Sequence, residues 1–227
     1  WEETKCLQTT MSILNSAEIP GRPWRPRFRR QSGREWRSFA SRSMWTTGRD
    51  AGEDNCDYSA YKRELERCRA IYGNQIRLKY GIEFGVQTHT IGEYERDFRE
   101  QSFDFVILSC HQVDNLEFDN QAYQRGKTQR EYNEGYYSEL LKVIRSFDSY
   151  SVLGHLDLMR RYDRNGPWPF ENSRPVLEQI LSHVIERGKG IEVNTSCFRY
   201  RIGDLTPLRG YFETVPGYGR KNPDTWL

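Results

Sequence analysis

Long apolar runs are missing from this sequence: the longest uncharged apolar stretch, Phe105 to Val113, falls far short of the about 20 residues a membrane-spanning helix needs. Cysteine is sparse and unpatterned, five in 227 residues, which excludes a disulfide scaffold. The N-terminus carries no apolar segment ending in small residues, so no secretory signal is expected, and thiols in a reducing cytoplasm are. Histidine is scarcer still, four in all and none in the first fifty residues. What remains is a polar chain, 36% hydrophobic and 29% charged with a mean hydropathy of −0.87, sufficient for the core of one large α/β domain or two small ones.

The net charge of +2 hides two unlike parts. Residues 1–50 hold ten Lys and Arg against five Asp and Glu, with four of the six Trp; the remainder holds 24 against 27. The segment from Gly21 to Arg37, rich in Arg and including Trp24 and Trp36, reads as a basic aromatic arm able to neutralise phosphates and stack on bases. It reads equally as a disordered extension, because Pro20, Pro23 and Pro26 break helices and no period of 2 or 3.6 persists.

Regular patterning begins at Tyr58. Tyr58, Tyr61, Leu65, Cys68 and Tyr72 recur at three- and four-residue spacing before Gly73, which predicts a helix over 58–72. Alternation of Ile76, Leu78, Tyr80 and Ile82 predicts a strand ending near Glu83. The apolar run 103–110 predicts a strand buried on both faces. Helices follow over 128–147 and 173–187, and strands over 151–156 and 190–195. Alternating strands and helices imply an α/β fold with parallel pairing, whose chemistry gathers at the carboxyl ends of the strands.

Three metal-type residues fall at those ends: Glu83, His111 and His155. A carboxylate with two imidazoles suits Zn²⁺, Mn²⁺ or Fe²⁺. Cys110 adjoins His111, so on a strand the two point to opposite faces and Cys110 is assigned to the core. His183 is assigned to helix packing or the surface, and His89 to a loop outside the ligand set.

Four segments carry a family likeness: Gly81-Ile82-Glu83-Phe84-Gly85 with Gln87-Thr88-His89-Thr90; residues 103–112; Ser151-Val152-Leu153-Gly154-His155-Leu156-Asp157; and Gly190-Ile191-Glu192-Val193-Asn194-Thr195-Ser196. In order and spacing the chain resembles histidinol-phosphatases of the PHP (polymerase and histidinol phosphatase) superfamily. The resemblance implies a distorted seven-stranded (β/α) barrel, incomplete at both ends in this chain. It implies a cluster of up to three divalent metals and hydrolysis of L-histidinol phosphate to L-histidinol and phosphate in histidine biosynthesis. It maps metal ligands onto Glu83, His111 and His155 and phosphate binding onto Arg161 and Arg199, whose guanidinium forks can each pair two phosphate oxygens. Asp157 and Asn194 become candidates for orienting the ligands. No side-chain nucleophile is implied; water on the metal is the expected attacking group.

The family's His-x-His pair, a further His on the second strand and a late Asp and His have no counterpart here. Joining the last base of each codon to the first two of the next permits DYHVHSEFSGDSRETME over residues 8–25 and FTEHVDYG over 40–48, which resemble the first two family motifs. Met and Trp have single codons and fall inside both stretches, which restricts chance agreement. In the other register, residues 210–227 permit GILRLYRDTGGKILTLG. The expected organisation is therefore an out-of-frame or disordered segment over 1–52, a PHP-like barrel over 53–210 and an out-of-frame tail over 211–227. A chain so read is expected to have unpaired strand edges and little phosphatase activity. Two other functions remain open: a PHP phosphoesterase acting on nucleotides, and a catalytically dead binding protein whose basic arm contacts nucleic acid. No membrane partner is expected.

Overall fold

The computed structural model describes residues 38–41, 44–46, 57–74 and 77–192, the first two as backbone strands. Helix α1, Tyr58–Tyr72, starts where Asp57 accepts the Ala60 amide at 2.9 Å and stops at Gly73, whose amide bonds to Arg69 O. Strand β3, Arg77–Gly85, is the longest. Two short strands, β1 (Ser38–Ser41) and β2 (Met44–Thr46), run parallel along one of its edges, in a segment to which the sequence pattern assigned no element. β4 (Phe105–Ser109) lies on its other edge, followed by β7 (Val152–Leu153) and β8 (Gly190–Ile191), every pairing parallel. Between β3 and β4 the chain forms a single 3-10 turn, Thr88–Thr90, and helix α2, Ile91–Gln101. A small antiparallel hairpin, β5 (Gln112–Val113) with β6 (Leu116–Glu117), turns through Asp114 and Asn115, both at positive φ.

Helices α3 (Gln129–Ser146), α4 (Met159–Tyr162) and α5 (Phe170–Glu186) complete the described elements. α3 begins at a full capping box: Thr128 Oγ1 accepts the Glu131 amide, and Glu131 accepts the Thr128 amide at 2.7 Å.

The core follows from strand alternation. Ile82 and Phe84 of β3, Val106 and Leu108 of β4, Leu153 of β7 and Ile191 of β8 point to one face. There they pack with Tyr132, Tyr136, Leu140 and Ile144 of α3 and with Leu177, Ile180 and Val184 of α5. Leu78 and Tyr80, further back on β3, meet Leu65 and Cys68 of α1 in an adjoining cluster. Each fully buried Phe or Leu here contributes about 1.5–3 kcal/mol. The intervening residues, Glu83 of β3 and Ile107 and Ser109 of β4, point to the opposite face, and all three are completely buried. The described residues thus form a parallel α/β sheet with its amphipathic helices on one face and a buried carboxylate on the other.

The boundaries differ from the sequence pattern at the site. β3 runs two residues past Glu83, and β7 and β8 are only two residues each, so His155 lies beyond its strand rather than within it. The reason is a turn at residues 154–155, where His155 adopts φ +20° and pairing cannot continue. The strand end expected over residues 193–195 lies outside the described residues.

Candidate metal centre

Glu83 reaches the site because its odd position in β3 faces away from the helices. Its carboxylate has no exposure, a costly state for a charge unless polar partners surround it. Ser109, on the same face of β4, donates its hydroxyl to Glu83 Oε1 at 2.5 Å. His111 lies two residues beyond Ser109 and keeps the same direction, whereas Cys110 turns into the core; burial raises the Cys110 thiol pKa well above its ordinary value.

His155 arrives differently. Leu153, two residues earlier, points into the helical core, so simple alternation would send His155 there too. The left-handed backbone at His155 instead directs the ring toward Glu83. Gly154 makes this turn possible: a Cβ there would lie 2.6 Å from Ser109 Oγ and 2.7 Å from Ile107 Cγ2.

Three donor atoms converge. His111 Nε2 and His155 Nε2 are 3.0 Å apart, and Glu83 Oε1 lies 3.1 Å from His155 Nε2 and 3.3 Å from His111 Nε2. Adjacent ligands about 2.0–2.2 Å from one tetrahedral ion are ~3.3–3.6 Å apart, and octahedral neighbours slightly closer, so the triangle is of the right size for a shared cation. The two imidazole nitrogens and Glu83 Oε1 lie within hydrogen-bond reach of one another, and Ser109 donates to the same carboxylate oxygen. The mixed oxygen and nitrogen donors suit a borderline divalent ion. Glu83 and His155 are enclosed, while the His111 side chain is 18% exposed and opens the group to solvent.

The other expected site residues are not drawn into this triangle. Asp157 is buried in the turn after His155 and lies 3.7 Å from Arg160 Nη1. Arg161, on α4, is half-buried with its guanidinium 5.9 Å from the Tyr162 ring centre. Asn194 and Arg199 lie outside the described residues. His89 is exposed and meets Asn115 Oδ1 at 3.0 Å, and His183 meets Ile144 O at 2.8 Å between α5 and α3; neither joins the triangle.

Two residues that matter here escaped the sequence reading, Ser109 and Glu192. Glu192 Oε2 accepts the His155 amide at 3.0 Å. A repeated tripeptide signals it: Gly81-Ile82-Glu83 and Gly190-Ile191-Glu192 each bring a glutamate onto the same side of the sheet.

A PHP domain family model matches residues 50–196. The histidinol-phosphatase of Lactococcus lactis is 31% identical over 144 residues, covering 61% of this chain and 52% of the relative. A probable histidinol-phosphatase of Thermotoga maritima is 27% identical over 150 residues, covering 66% and 50%. The chain spans about half the length of the curated relatives it matches. Among solved structures, histidinol phosphate phosphatase from Lactococcus lactis, crystallised with zinc, L-histidinol and phosphate, superposes with a TM-score of 0.63 at 26% identity, covering 72% of this chain and 64% of that one. A putative histidinol phosphatase from Listeria monocytogenes gives 0.61 at 15% identity over 78% of each chain, a likeness of fold.

Proposed function

Because the chain belongs to the PHP domain family, we propose that it serves metal-dependent hydrolysis of a phosphate monoester, L-histidinol phosphate, to L-histidinol and phosphate. The observation that carries this reading is the convergence of Glu83 Oε1, His111 Nε2 and His155 Nε2 within 3.3 Å. These three side chains would hold a divalent ion, with Zn²⁺ favoured over Mn²⁺ or Fe²⁺ because the similar Lactococcus enzyme was crystallised with zinc. When bound, such an ion lowers the pKa of water and offsets charge on phosphoryl oxygens. The site would hold up to three such ions.

The protein's own groups divide the remaining work. Ser109 fixes the Glu83 carboxylate by donating to Oε1, leaving the imidazoles to complete the donor set. Arg161 and Arg199 would grip the phosphate through paired N–H donors. Asp157 and Asn194 would orient neighbouring groups. No side chain is required as a nucleophile. In this reading the parallel sheet belongs to a distorted seven-stranded barrel, and the enzyme acts in histidine biosynthesis in the cytoplasm. Residues 1–52 and 211–227 are proposed to be translated out of frame, on the strength of the alternative readings that resemble family motifs.

The test is phosphate release from L-histidinol phosphate and from nucleoside monophosphates with Zn²⁺, Mn²⁺ or Fe²⁺ supplied. The chain is assayed beside a version carrying the alternative readings of its two terminal segments. The recoded version is expected to prefer L-histidinol phosphate and to exceed the chain as it stands. A preference for nucleotides would favour the other phosphoesterase reading, and no metal-dependent release by either version would refute hydrolysis. Equal rates of the two versions would refute the frame proposal.

A further inference from the structure

We propose that Glu192 is a positioning residue that holds His155 in its ligand-bearing conformation by accepting the His155 backbone amide. The inference rests on the reading of His155 as a metal ligand, and it is carried by three observations.

His155 must leave the strand direction to reach Glu83, and it does so at φ +20°, a backbone state that L residues adopt at a cost. Such a state persists only when its surroundings fix it. Here the approach to the turn is tied on both sides: the Gly154 amide bonds to Leu108 O of β4 at 2.8 Å, and the Glu192 amide bonds to Leu153 O of β7 at 2.8 Å. The turn itself is closed by one side chain and one backbone bond: Glu192 Oε2 accepts the His155 amide at 3.0 Å, and the Leu158 amide donates to His155 O at 2.9 Å. Glu192 therefore grips the β7 end twice, once through its backbone and once through its carboxylate.

The location of that carboxylate argues for a specific task. Glu192 is 6% exposed, so packing fixes its carboxyl group beside the turn, with Oε2 in place to accept the His155 amide. Glu83 supplies a donor atom to the triangle directly, whereas Glu192 acts on the backbone behind a donor. A carboxylate that orients a ligand commonly changes metal affinity by about 10- to 100-fold when removed.

The experiment compares the full chain with its Glu192→Ala and Glu192→Gln variants. Glutamine keeps an acceptor oxygen for the amide and loses the charge. In the metal-free protein, amide hydrogen exchange at His155 is followed by NMR. Exchange is expected to rise about tenfold or more in the alanine variant and to stay near wild type in the glutamine variant. Cobalt(II) titration, read from its visible absorption bands, is expected to show about 10- to 100-fold weaker binding and shifted bands for alanine, with recovery in glutamine. Unchanged exchange in the alanine variant, or a glutamine variant as impaired as alanine, would overturn the proposal. If wild type takes up no cobalt, the metal reading fails, and the exchange measurement still decides whether Glu192 holds His155. If the alanine variant does not fold, the glutamine variant decides: it must match wild type in exchange.

Discussion

Replacing Gly154 with alanine is expected to damage the proposed metal centre without altering any of its three proposed donor residues. The new Cβ would lie 2.6 Å from Ser109 Oγ, 2.7 Å from Ile107 Cγ2 and 3.4 Å from Leu108 O. Ile107 is completely buried in β4 and has little room to move, so relief falls on Ser109 or on the backbone of the turn. Overpacking of this kind costs about 1–3 kcal/mol. Rotating Ser109 away forfeits its 2.5 Å hydrogen bond to Glu83, an interaction with a charged acceptor worth about 1.5–3 kcal/mol. The two penalties overlap, because rotation relieves part of the clash, and a net loss of about 2–3 kcal/mol follows. For a chain of this size that corresponds to a fall of ~4–12 °C in Tm. Thermal unfolding by circular dichroism measures the first effect, and zinc competition with a chromophoric chelator measures the second, where affinity should fall about 10- to 100-fold. Combining Gly154→Ala with Ser109→Ala should cost less than the sum of the two single changes, because they share one contact. A Gly154→Ala protein with wild-type Tm and wild-type zinc affinity would show that the Gly154–Ser109 contact does not support the site.

Three further outcomes are expected. Thr128→Ala removes the capping box of α3 and should cost about 1 kcal/mol, read as a ~2–4 °C lower Tm. The Thr128 backbone and hydroxyl hold the Glu131 carboxyl below its ordinary pKa, so its contribution is present above the usual carboxylate range and is lost as pH falls through the lowered value. The stability gap between wild type and Thr128→Ala should therefore narrow on acidification, and a constant gap between pH 7 and pH 3 would contradict this. Cys110, buried and with its thiol pKa raised, should resist iodoacetamide in the folded protein at pH 8 and react after unfolding, with peptide mass mapping as the check.

The helices were legible because their apolar spacing is bounded by clear stops. The helix expected over 58–72 is Tyr58–Tyr72, and that expected over 128–147 is Gln129–Ser146 with Thr128 and Phe147 as its caps. α2 was not read, since Tyr94 is its single buried residue and charges occupy most of its other positions. α5 starts three residues earlier than its apolar stripe indicated, at Phe170 after Pro169. The strands near the site were overextended, because apolar character continues through Gly154 and Leu156 while the backbone has already turned. At the site, Glu83 and His111 follow from strand parity. His155 carries the wrong parity and reaches the same point only through its left-handed backbone, a feature that residue type does not announce. Ser109 is not legible because a hydroxyl donor to a carboxylate leaves no spacing signature, and the repeated Gly-Ile-Glu that marks Glu192 places a carboxylate beside the sheet without showing that it accepts a backbone amide. Asn194 and Arg199 fall outside the described residues, and Asp157 and Arg161 lie near the turn after His155.

In the proposed site Glu83, His111 and His155 together hold one divalent ion. Crystals of the full chain soaked in zinc and measured at the zinc absorption edge test it most directly. An anomalous peak is expected about 2.0–2.2 Å from Glu83 Oε1, His111 Nε2 and His155 Nε2 together, and it should be lost in Glu83→Ala. A peak elsewhere with none at these three atoms, or a peak there that survives Glu83→Ala unchanged, would contradict it.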